Sequence, residues 1–395
     1  MTQDLVLVDG ARTPMAEFGG SFTRLSALEL GAHAARAALE RSGFAADEID
    51  HTVVGNALQT SRDAIYGARH VALNAGVPQE VPAVTVNRLC GSGVQAIISG
   101  AHLIMAGEAT NCLVGGMESM SQAPHCIWGA RDGFKLGQGK LEDLLMASLY
   151  DPYCGCYMAQ TSNNLAADYD ISREEQDAFA LRSQQLAVAA IEAGRLAEEI
   201  APIEVGKGKR AKTIEHDEHP RPGTTLEVLA GLPVVFGEGS SVTAGNASGI
   251  VDGAAMLVLT TAEAAAARGA KPLGRIRSWA TVGVDPSRMG IGPAPAITAA
   301  LAKAGMNLGD LDLIEINEAF AGQILACVRE LDLDVDKLNV NGGAIALGHP
   351  LGATGARIVL TLLKELQRRG GGVGVASACI GGGQGIAMIV ESSAG

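Results

Sequence analysis

The sequence has few aromatic residues, because two Trp, five Tyr and seven Phe make up only 4% of its 395 positions. Hydrophobic residues still reach 47%, and there are 51 glycines, so small aliphatic side chains supply most of the apolar content. This composition favours close packing of helices on sheets in an α/β protein and speaks against a disordered chain. The length exceeds one ordinary hydrophobic core, and we expect two or three domains.

The chain also has no excess of basic residues. The net charge of −13 at pH 7 argues against a large nucleic-acid-binding surface, although it leaves room for a local basic pocket. No apolar run approaches the length of a membrane-spanning helix, and residues 1–8 predict a strand instead of a signal peptide. We therefore expect no nucleic-acid partner, no membrane partner and a cytoplasmic protein.

The cysteines do not form the even set that is typical of a disulfide framework. Their odd number, with no secretory segment before them, predicts a reducing compartment. Cys154 and Cys156 are too closely spaced for the usual zinc pattern and lack a matching second pair, so we interpret them as structural and expect no metal. The seven are Cys90, Cys112, Cys126, Cys154, Cys156, Cys327 and Cys379.

The two halves of the chain repeat the same order of predicted elements. The matched pairs are residues 37–43 and 299–305, 52–57 and 313–319, 85–87 and 339–341, and 110–116 and 372–378. Strands that alternate with helices imply parallel strands with right-handed crossovers. The repeat predicts two similar sheet–helix domains packed face to face, and chance similarity among Ala/Gly-rich segments is the alternative.

Residues 121–248 interrupt this alternation. They include a predicted amphipathic helix over 172–193 with an N-terminal capping pattern at Ser172, followed by a basic stretch at 207–212. We interpret the segment as an insertion that returns to the first domain near Gly249. Long insertions on a rigid scaffold often build binding surfaces.

Cys90 lies where a predicted strand gives way to a predicted helix. A thiol on the first turn of a helix meets unpaired backbone N–H groups and the positive end of the helix dipole. Both favour the thiolate, so the position predicts a lowered pKa and a nucleophilic sulfur. A buried structural cysteine is the alternative.

Three motifs in the second half carry further chemistry. Asn317 follows the predicted strand 313–316, where its amide can orient a water or simply close a turn. His349 precedes a proline at a helix entrance, on the same loop type as Cys90, and is either a base or a packed loop histidine. Cys379 stands beside glycines whose amides can form an anion hole. Together these residues are the set that acyl transfer through a thioester requires.

The chain resembles the thiolases over essentially its whole length. The matching segments are residues 87–93, 115–120, 242–249, 317–320, 348–352 and 379–383, and segments 217–221 and 289–293 are most similar to the 3-ketoacyl-CoA thiolase branch. The resemblance implies an α/β, thiolase-like fold in which two duplicated βαβαβαββ domains pack as a layered αβαβα core. It implies an N-terminal core domain (1–120 and 249–271), an inserted loop domain (121–248) and a C-terminal core domain (272–395).

The resemblance also implies reversible acyl transfer between acetyl-CoA and acyl-CoA. Cys90 would carry the acyl group, His349 would take the Cys90 proton, and Cys379 would protonate the acetyl-CoA enolate. One oxyanion hole would use His349 with a water held by Asn317. The other would use the backbone N–H groups of Cys90 and Gly381.

The inserted domain would bind CoA as a substrate, with no tightly bound cofactor, and relatives suggest a homo-oligomer built as a dimer of dimers. Arg221 would meet the nucleotide end of CoA and Ser248 its pantetheine arm. The other implied contacts are Ala244, Phe236, Met289, Ala319, Phe320 and Met158.

The sequence departs from the family pattern at two places, of which the first leaves the acyl-chain length open and the second would remove a CoA contact that a side-chain hydroxyl makes in relatives. Tyr157 stands where biosynthetic acetoacetyl-CoA thiolases commonly carry a histidine, and residues 225–228 end without the serine that is frequent there. A thiolase specialised for two molecules of acetyl-CoA is an alternative, and Tyr157 weakens the case for it. Others are a decarboxylating ketoacyl synthase, which the second cysteine at 379 speaks against, and a non-catalytic acyl-CoA binder.

Overall fold

The computed structural model describes residues 4–237 and 239–393. The strands are β1 (Leu5–Arg12), β2 (Ala16–Glu17), β3 (His51–Gly55), β4 (Ala83–Val86), β5 (Cys112–Glu118), β6 (His125–Cys126), β7 (Glu142–Asp143), β8 (Tyr150–Asp151), β9 (Cys156–Tyr157), β10 (Ile203–Val205), β11 (Lys212–Ile214), β12 (Val251–Thr261), β13 (Gly274–Gly283), β14 (Leu313–Ile316), β15 (Gly372–Ile380) and β16 (Gln384–Ser392). The α-helices are α1 (Ala27–Ser42), α2 (Gly67–Asn74), α3 (Ser92–Met105), α4 (Leu144–Ser148), α5 (Met158–Asp168), α6 (Arg173–Glu192), α7 (Leu226–Ala230), α8 (Ala262–Ala267), α9 (Pro293–Ala304), α10 (Ala321–Leu331), α11 (Ala344–Leu347) and α12 (Leu351–Arg368). Within the described ranges, no helix combines the length and the apolar character needed to cross a membrane.

A single mixed sheet runs through both halves of the chain in the order β14-β15-β16-β13-β1-β12-β5-β3-β4. Strand β3 is parallel to β4 and β5, and β14 is parallel to β15, as helical crossovers require. The halves join where β1 meets β13, through the pairs Val6 with Arg275 and Leu7 with Gly274. Each half therefore keeps its own set of neighbouring strands.

The helices form layers on the faces of this sheet. Residues of α3 and α12 share one apolar core with strands of both halves, so these two helices lie in the middle of the molecule. Helices α1 and α2 cover the other face of the first half, and α9 and α10 cover that of the second. Because α3 and α12 lie between the two halves of the sheet, the layers follow the order helix, half-sheet, helix, half-sheet, helix, which confirms the predicted αβαβα core.

Glycine allows the two central helices to approach closely. A Cβ added at Gly93 of α3 would lie 2.3 Å from the backbone nitrogen of Ala356 in α12. A Cβ added at Gly355 of α12 would lie 2.4 Å from the backbone nitrogen of Val94 in α3. Any other residue at either position would push the helices apart, because the obstacle is backbone.

The repeat has the predicted helix ends but is incomplete at one strand. Gly43 ends α1 at φ 70° and Gly305 ends α9 at φ 67°, the left-handed conformation that stops a helix. Residues 83–86 form β4, whereas their counterpart forms only an isolated bridge between Ile314 and Leu338. There the side-chain amide of Asn339 accepts from the Ile316 nitrogen and donates to the Ile316 oxygen, both at 2.9 Å, and so substitutes for a strand peptide.

Residues 121–248 build small sheets of two strands each, outside the central sheet, together with α4 to α7. Ser172 caps α6 and forms the predicted capping box with Glu175. The segment is anchored to β1 through the buried guanidinium of Arg12, which donates to Glu199 at 2.6 Å and to Asp217 at 2.6 and 2.9 Å. The chain re-enters the central sheet at β12, and the boundaries of the three domains stay a prediction.

Candidate active site

The loop that carries Cys90 is held in a strained conformation. Cys90 lies in a single turn, Leu89–Gly91, directly before α3, and Leu89 has a φ of 47°. The Leu89 nitrogen donates to the Asn87 side chain at 2.9 Å, and the Ser92 hydroxyl donates to the Leu89 oxygen at 2.7 Å. Positive φ at a residue other than glycine persists only where neighbouring contacts enforce it, and such positions cluster at functional sites.

The acidity of Cys90 differs from the prediction made from its position. Burial raises the pKa of the Cys90 thiol to about 11, although the backbone N–H groups of Gly381 and of Cys90 itself oppose that rise. The negative charge of Glu118 adds to it. The predicted lowering is therefore wrong, because loss of solvation outweighs the N–H donors. In the free protein Cys90 is a thiol at neutral pH, with two amides already directed at its sulfur.

His349 lies at the entrance of α12 and is only 5% exposed. Its Nδ1 is 2.6 Å from the Thr354 hydroxyl, which itself donates to the Pro350 oxygen at 3.0 Å. With the Thr354 hydrogen directed at the Pro350 oxygen and the Asn317 NH₂ group facing Nε2, this hydrogen-bond network assigns the ring proton to Nδ1 and the lone pair to Nε2. Burial, followed by the charge of Arg357, lowers the pKa of His349 to about 3. The side chain is thus a neutral imidazole with Nε2 ready to accept a proton.

Asn317 follows β14 and faces the same imidazole. Its Nδ2 is 3.3 Å from His349 Nε2, and its backbone nitrogen donates to the Ser377 oxygen at 2.9 Å. Its Oδ1 is buried and has no hydrogen-bond partner within residues 4–237 and 239–393. An amide with one side fixed and a free acceptor on the other is suited to orienting a water molecule.

Cys379 is fully buried near the end of β15. Burial raises its pKa well above the usual value, and the nearby sulfurs of Cys90 and Cys327 raise it further. It is therefore a thiol that can donate a proton at neutral pH. The turn between β15 and β16 carries Gly381, so one hairpin supplies both this thiol and an N–H donor to the Cys90 sulfur.

Two adjoining cavities open onto these residues. One, of about 230 Å³, is lined by Cys90 and Gly381. The other, of about 150 Å³, is lined by His349. Leu149, Met158 and Leu351 line both, so the two cavities are neighbours that share these side chains as a wall.

Most of the side chains expected to contact CoA lie beside the catalytic candidates. Met158, Phe236, Ser248 and Phe320 line the His349 cavity, and Met289 and Ala319 pack on Cys379. Arg221 and Ala244 lie outside both cavities. Ala244 is exposed, and Arg221 is half exposed and forms an ion pair with Glu17. The CoA-contact roles of all eight residues stay predictions.

The sequence reasoning missed a buried carboxylate behind Cys90. Glu118 ends β5 and is fully buried, and burial raises its pKa to about 7. It accepts from the Asn56 side chain at 2.8 Å and from the backbone nitrogens of Ala57, Leu58 and Gly352 at 2.8–3.0 Å. It thereby joins the loop after β3 to the first turn of α12. An acidic residue directly after an apolar strand is the signal that could have revealed it.

Glu318 and Thr354 were also missed, although Glu318 lies inside the 317–320 motif and Thr354 lies two residues beyond the 348–352 motif. Glu318 is buried and accepts from the Ser183 hydroxyl at 2.6 Å, the Asn339 amide at 2.9 Å and the Ile345 nitrogen at 3.1 Å. These contacts link α6 of the insertion to the loop before His349.

Among the residues that the structure describes, no cluster of three or more His, Cys, Asp or Glu side chains could hold a metal ion.

Known proteins are similar to this chain over essentially its full length. The chain is 52% identical over 395 residues to the human protein "3-ketoacyl-CoA thiolase, mitochondrial", with 100% of both chains covered. It is 47% identical over 390 residues to the acetyl-CoA acetyltransferase of Cupriavidus necator, with 98% of this chain and 99% of the relative covered. A crystal structure of human mitochondrial 3-ketoacyl-CoA thiolase in complex with CoA gives a TM-score of 0.97 at 52% identity and covers 99% of this chain and 98% of that chain.

These relatives correct one expectation and establish the family. The expectation of a cytoplasmic protein is wrong, because relatives from five organisms at 49–52% identity are named as mitochondrial. Residues 5–263 match the family "Thiolase, N-terminal domain" and residues 270–392 match "Thiolase, C-terminal domain". The chain therefore belongs to the thiolase family.

Proposed function

We propose that this thiolase transfers acyl groups reversibly between acetyl-CoA and acyl-CoA through an acyl-cysteine at Cys90. In one direction it cleaves 3-ketoacyl-CoA with CoA to acetyl-CoA and a shortened acyl-CoA, and in the other it performs the Claisen condensation. The observation that carries the proposal is that Cys379 lies near the Cys90 sulfur, with the Gly381 N–H directed at that sulfur, while Asn317 contacts His349 and His349 lines the adjoining cavity. The names of the relatives support the same reaction.

In the first step Cys90 attacks the 3-keto carbon of the substrate. Its proton passes to Nε2 of His349, which is the unprotonated nitrogen of a neutral ring. The negative charge that develops on the keto oxygen meets the N–H groups of Cys90 and Gly381. Removing one such donor typically costs about 2.7–4 kcal/mol of transition-state stabilisation.

In the second step the bond between carbons 2 and 3 of the substrate breaks. Its electron pair forms the acetyl-CoA enolate, whose oxygen faces His349 and a water oriented by Asn317. The Cys379 thiol donates a proton to the enolate carbon, and the His349 imidazolium then returns a proton to the Cys379 thiolate. The thiol of free CoA attacks acyl-Cys90 with His349 as base, and the departing Cys90 sulfur receives that proton.

We propose that residues 121–248 act as the CoA-binding loop domain between the core domains 1–120 with 249–271 and 272–395. Ser248 would bond to the pantetheine arm beside Phe236, Phe320 and Met158. Arg221 would reach the nucleotide end of CoA after exchanging its Glu17 partner for phosphate, a stronger charge-assisted contact. The structural relative solved with CoA supports this use of the fold.

We also propose a homo-oligomer, a dimer of dimers. Strand β4 is an edge strand with Val84 43% exposed, and Ile65 and Tyr66 nearby are 72% and 58% exposed. Such an edge pairs readily with a second copy. The hairpin of β6 and β7 carries exposed Trp128 and Leu136, which suit a second contact. Sedimentation of the full chain tests this, and a monomer would refute it.

A second candidate is a thiolase that joins two acetyl-CoA molecules. The 47% identity to an acetyl-CoA acetyltransferase favours it, and Tyr157 in place of the histidine common in that branch opposes it. Thiolysis rates across ketoacyl chain lengths separate the two. A rate confined to acetoacetyl-CoA would favour the second candidate.

The test of the central proposal is the variant Cys90→Ser. We expect turnover to vanish while calorimetric binding of CoA stays within about threefold of the unchanged protein, because serine keeps the backbone donors in place. Cys126→Ser is the matched control, since Cys126 lies in the β6–β7 hairpin away from both cavities. Thiolysis retained by Cys90→Ser would remove Cys90 from the mechanism.

A further inference from the structure

Three aromatic rings contact one another beside the active site of a chain that has only five Tyr and seven Phe. The ring centroid of Tyr157 lies 5.0 Å from that of Tyr150, with the planes at 62°. On its other side it lies 5.1 Å from the ring of Phe236, with the planes at 39°. Tyr157 is therefore the middle member of the group, which we call the aromatic bridge (Tyr150, Tyr157 and Phe236).

The aromatic bridge spans the two catalytic cavities. Tyr150 lines the cavity of Cys90, whereas Tyr157 and Phe236 line the cavity of His349. A change in the position of the central ring is consequently transmitted to the walls of both cavities.

Backbone structure fixes each member of the bridge. Tyr150 and Tyr157 are direct cross-strand partners in the β8–β9 hairpin, and the Tyr157 nitrogen donates to the Gln160 side chain at 2.7 Å. Phe236 is held at a φ of 64°, a conformation that a bulky side chain adopts only under constraint. Tyr150 and Phe236 are 39% and 37% exposed, so the three rings form a cavity wall that also faces solvent.

The cavity on the Cys90 side has the character of an acyl-chain site. An acyl group bonded to the Cys90 sulfur must extend into the cavity that this sulfur lines. The lining there is largely apolar, with Leu89, Leu149, Tyr150, Pro152 and Met158 around a volume of about 230 Å³. Acetyl alone would leave most of that apolar surface without a partner, whereas a longer chain would cover it.

We propose that Tyr157 is a specificity-determining residue that holds the wall of this cavity in place for straight acyl chains longer than acetyl. The inference rests on the proposed thiolase function and names its substrate class, 3-ketoacyl-CoA with an apolar chain beyond the keto group. Each buried methylene then raises kcat/KM about fourfold, which corresponds to ~0.8 kcal/mol, until the cavity is full.

The experiment measures thiolysis kcat/KM for 3-ketoacyl-CoA substrates from acetoacetyl-CoA up to medium chain length. The variants are Tyr157→Ala, which removes the central ring, and Tyr157→Phe, which keeps the ring and loses only the hydroxyl. Tyr153→Ala is the matched control, because Tyr153 lies on the same hairpin, is 87% exposed and lines neither cavity. Intact mass after incubation with acetyl-CoA or a longer acyl-CoA reports acylation of Cys90 independently of turnover.

We expect Tyr157→Ala to lower kcat/KM for the longer substrates at least tenfold more than it lowers kcat/KM for acetoacetyl-CoA. Tyr157→Phe and Tyr153→Ala should keep the original chain-length profile. An equal loss at every chain length, or no loss at any, would overturn the proposal. If Tyr157→Ala does not fold, Tyr150→Ala must show the same selective loss. Absence of thiolysis and of Cys90 acylation in the unchanged protein would instead reject the proposed function itself.

Discussion

The protonation state of Cys90 gives the sharpest test of the active-site geometry. Cys90 is half-buried, and desolvation of its thiol raises the pKa to about 11 even though two backbone N–H groups face the sulfur. At neutral pH, four units below that value, only about one molecule in 10⁴ carries the thiolate. An unperturbed cysteine with a pKa of ~8.5 would be about 3% ionised under the same conditions.

The protonation state of His349 also indicates that Cys90 is a neutral thiol at rest. The pKa of His349 is lowered to about 3, so its imidazole is neutral at pH 7 and does not form an imidazolium that would stabilise a thiolate. The resting site therefore consists of a neutral thiol beside a neutral base. The proton leaves Cys90 only when substrate binds and negative charge can pass to the keto oxygen.

The assay follows thiolate absorbance in the far ultraviolet as pH is raised, taking the difference between the unchanged protein and Cys90→Ser. Because ionisation increases with pH, we expect no Cys90-specific signal near neutrality and an appearance only above about pH 9. Removing His349 by His349→Ala should leave the neutral-pH spectrum unchanged. A Cys90-specific thiolate signal at about pH 6–7 that disappears in His349→Ala would refute the reasoning and show an ion pair.

Three other changes probe the groups around this pair. Thr354→Val should lower kcat about 5- to 150-fold with little change in KM, because it leaves the His349 Nδ1–H unpaired at a cost of ~1–3 kcal/mol. Thr354→Ser keeps the hydroxyl and should restore the rate. Cys379→Ala should slow exchange of the acetyl-CoA methyl protons far more than acylation of Cys90 by acyl-CoA, and equal loss of both would contradict a separate role. Gly93→Ala should lower the thermal unfolding midpoint, because overpacking against an α12 backbone nitrogen costs ~1–3 kcal/mol. Gly309→Ala is the control and should not lower it, since Gly309 has open space around it. Equal midpoints for the two variants would contradict the close helix contact.

Local signals in the sequence predict much of the fold. Gly43 and Gly305 end helices in the left-handed conformation, and Ser172 begins one with a capping box, as the residue types alone indicate. These features depend on a few neighbouring residues, so a sequence reveals them. The loops between strands and helices, with their glycines, likewise indicate the candidate catalytic residues that they carry.

Long-range contacts explain what the sequence does not reveal. The buried guanidinium of Arg12 binds Glu199 and Asp217, which are 187 and 205 residues away along the chain. The direction of the Cys90 pKa shift depends on how completely other elements remove water from the sulfur, whereas its position before a helix suggests only the opposing effect. The role of Thr354 depends on the relative orientation of the His349 and Thr354 side chains, which the sequence does not reveal.

The duplicated architecture itself explains why a nucleophile and a base from distant parts of the chain meet. Cys90 lies two residues before α3 and His349 lies two residues before α12. The helices touch near their beginnings, at the second residue of α3 (Gly93) and the fifth residue of α12 (Gly355), where backbone meets backbone. Helices that cross at their beginnings bring the residues just before them to one place, so the close glycine contact positions the catalytic pair. A larger residue at either glycine should therefore impair Cys90 acylation even in protein that remains folded, and normal acylation in folded Gly93→Ala would show that the loops are positioned independently of the helices.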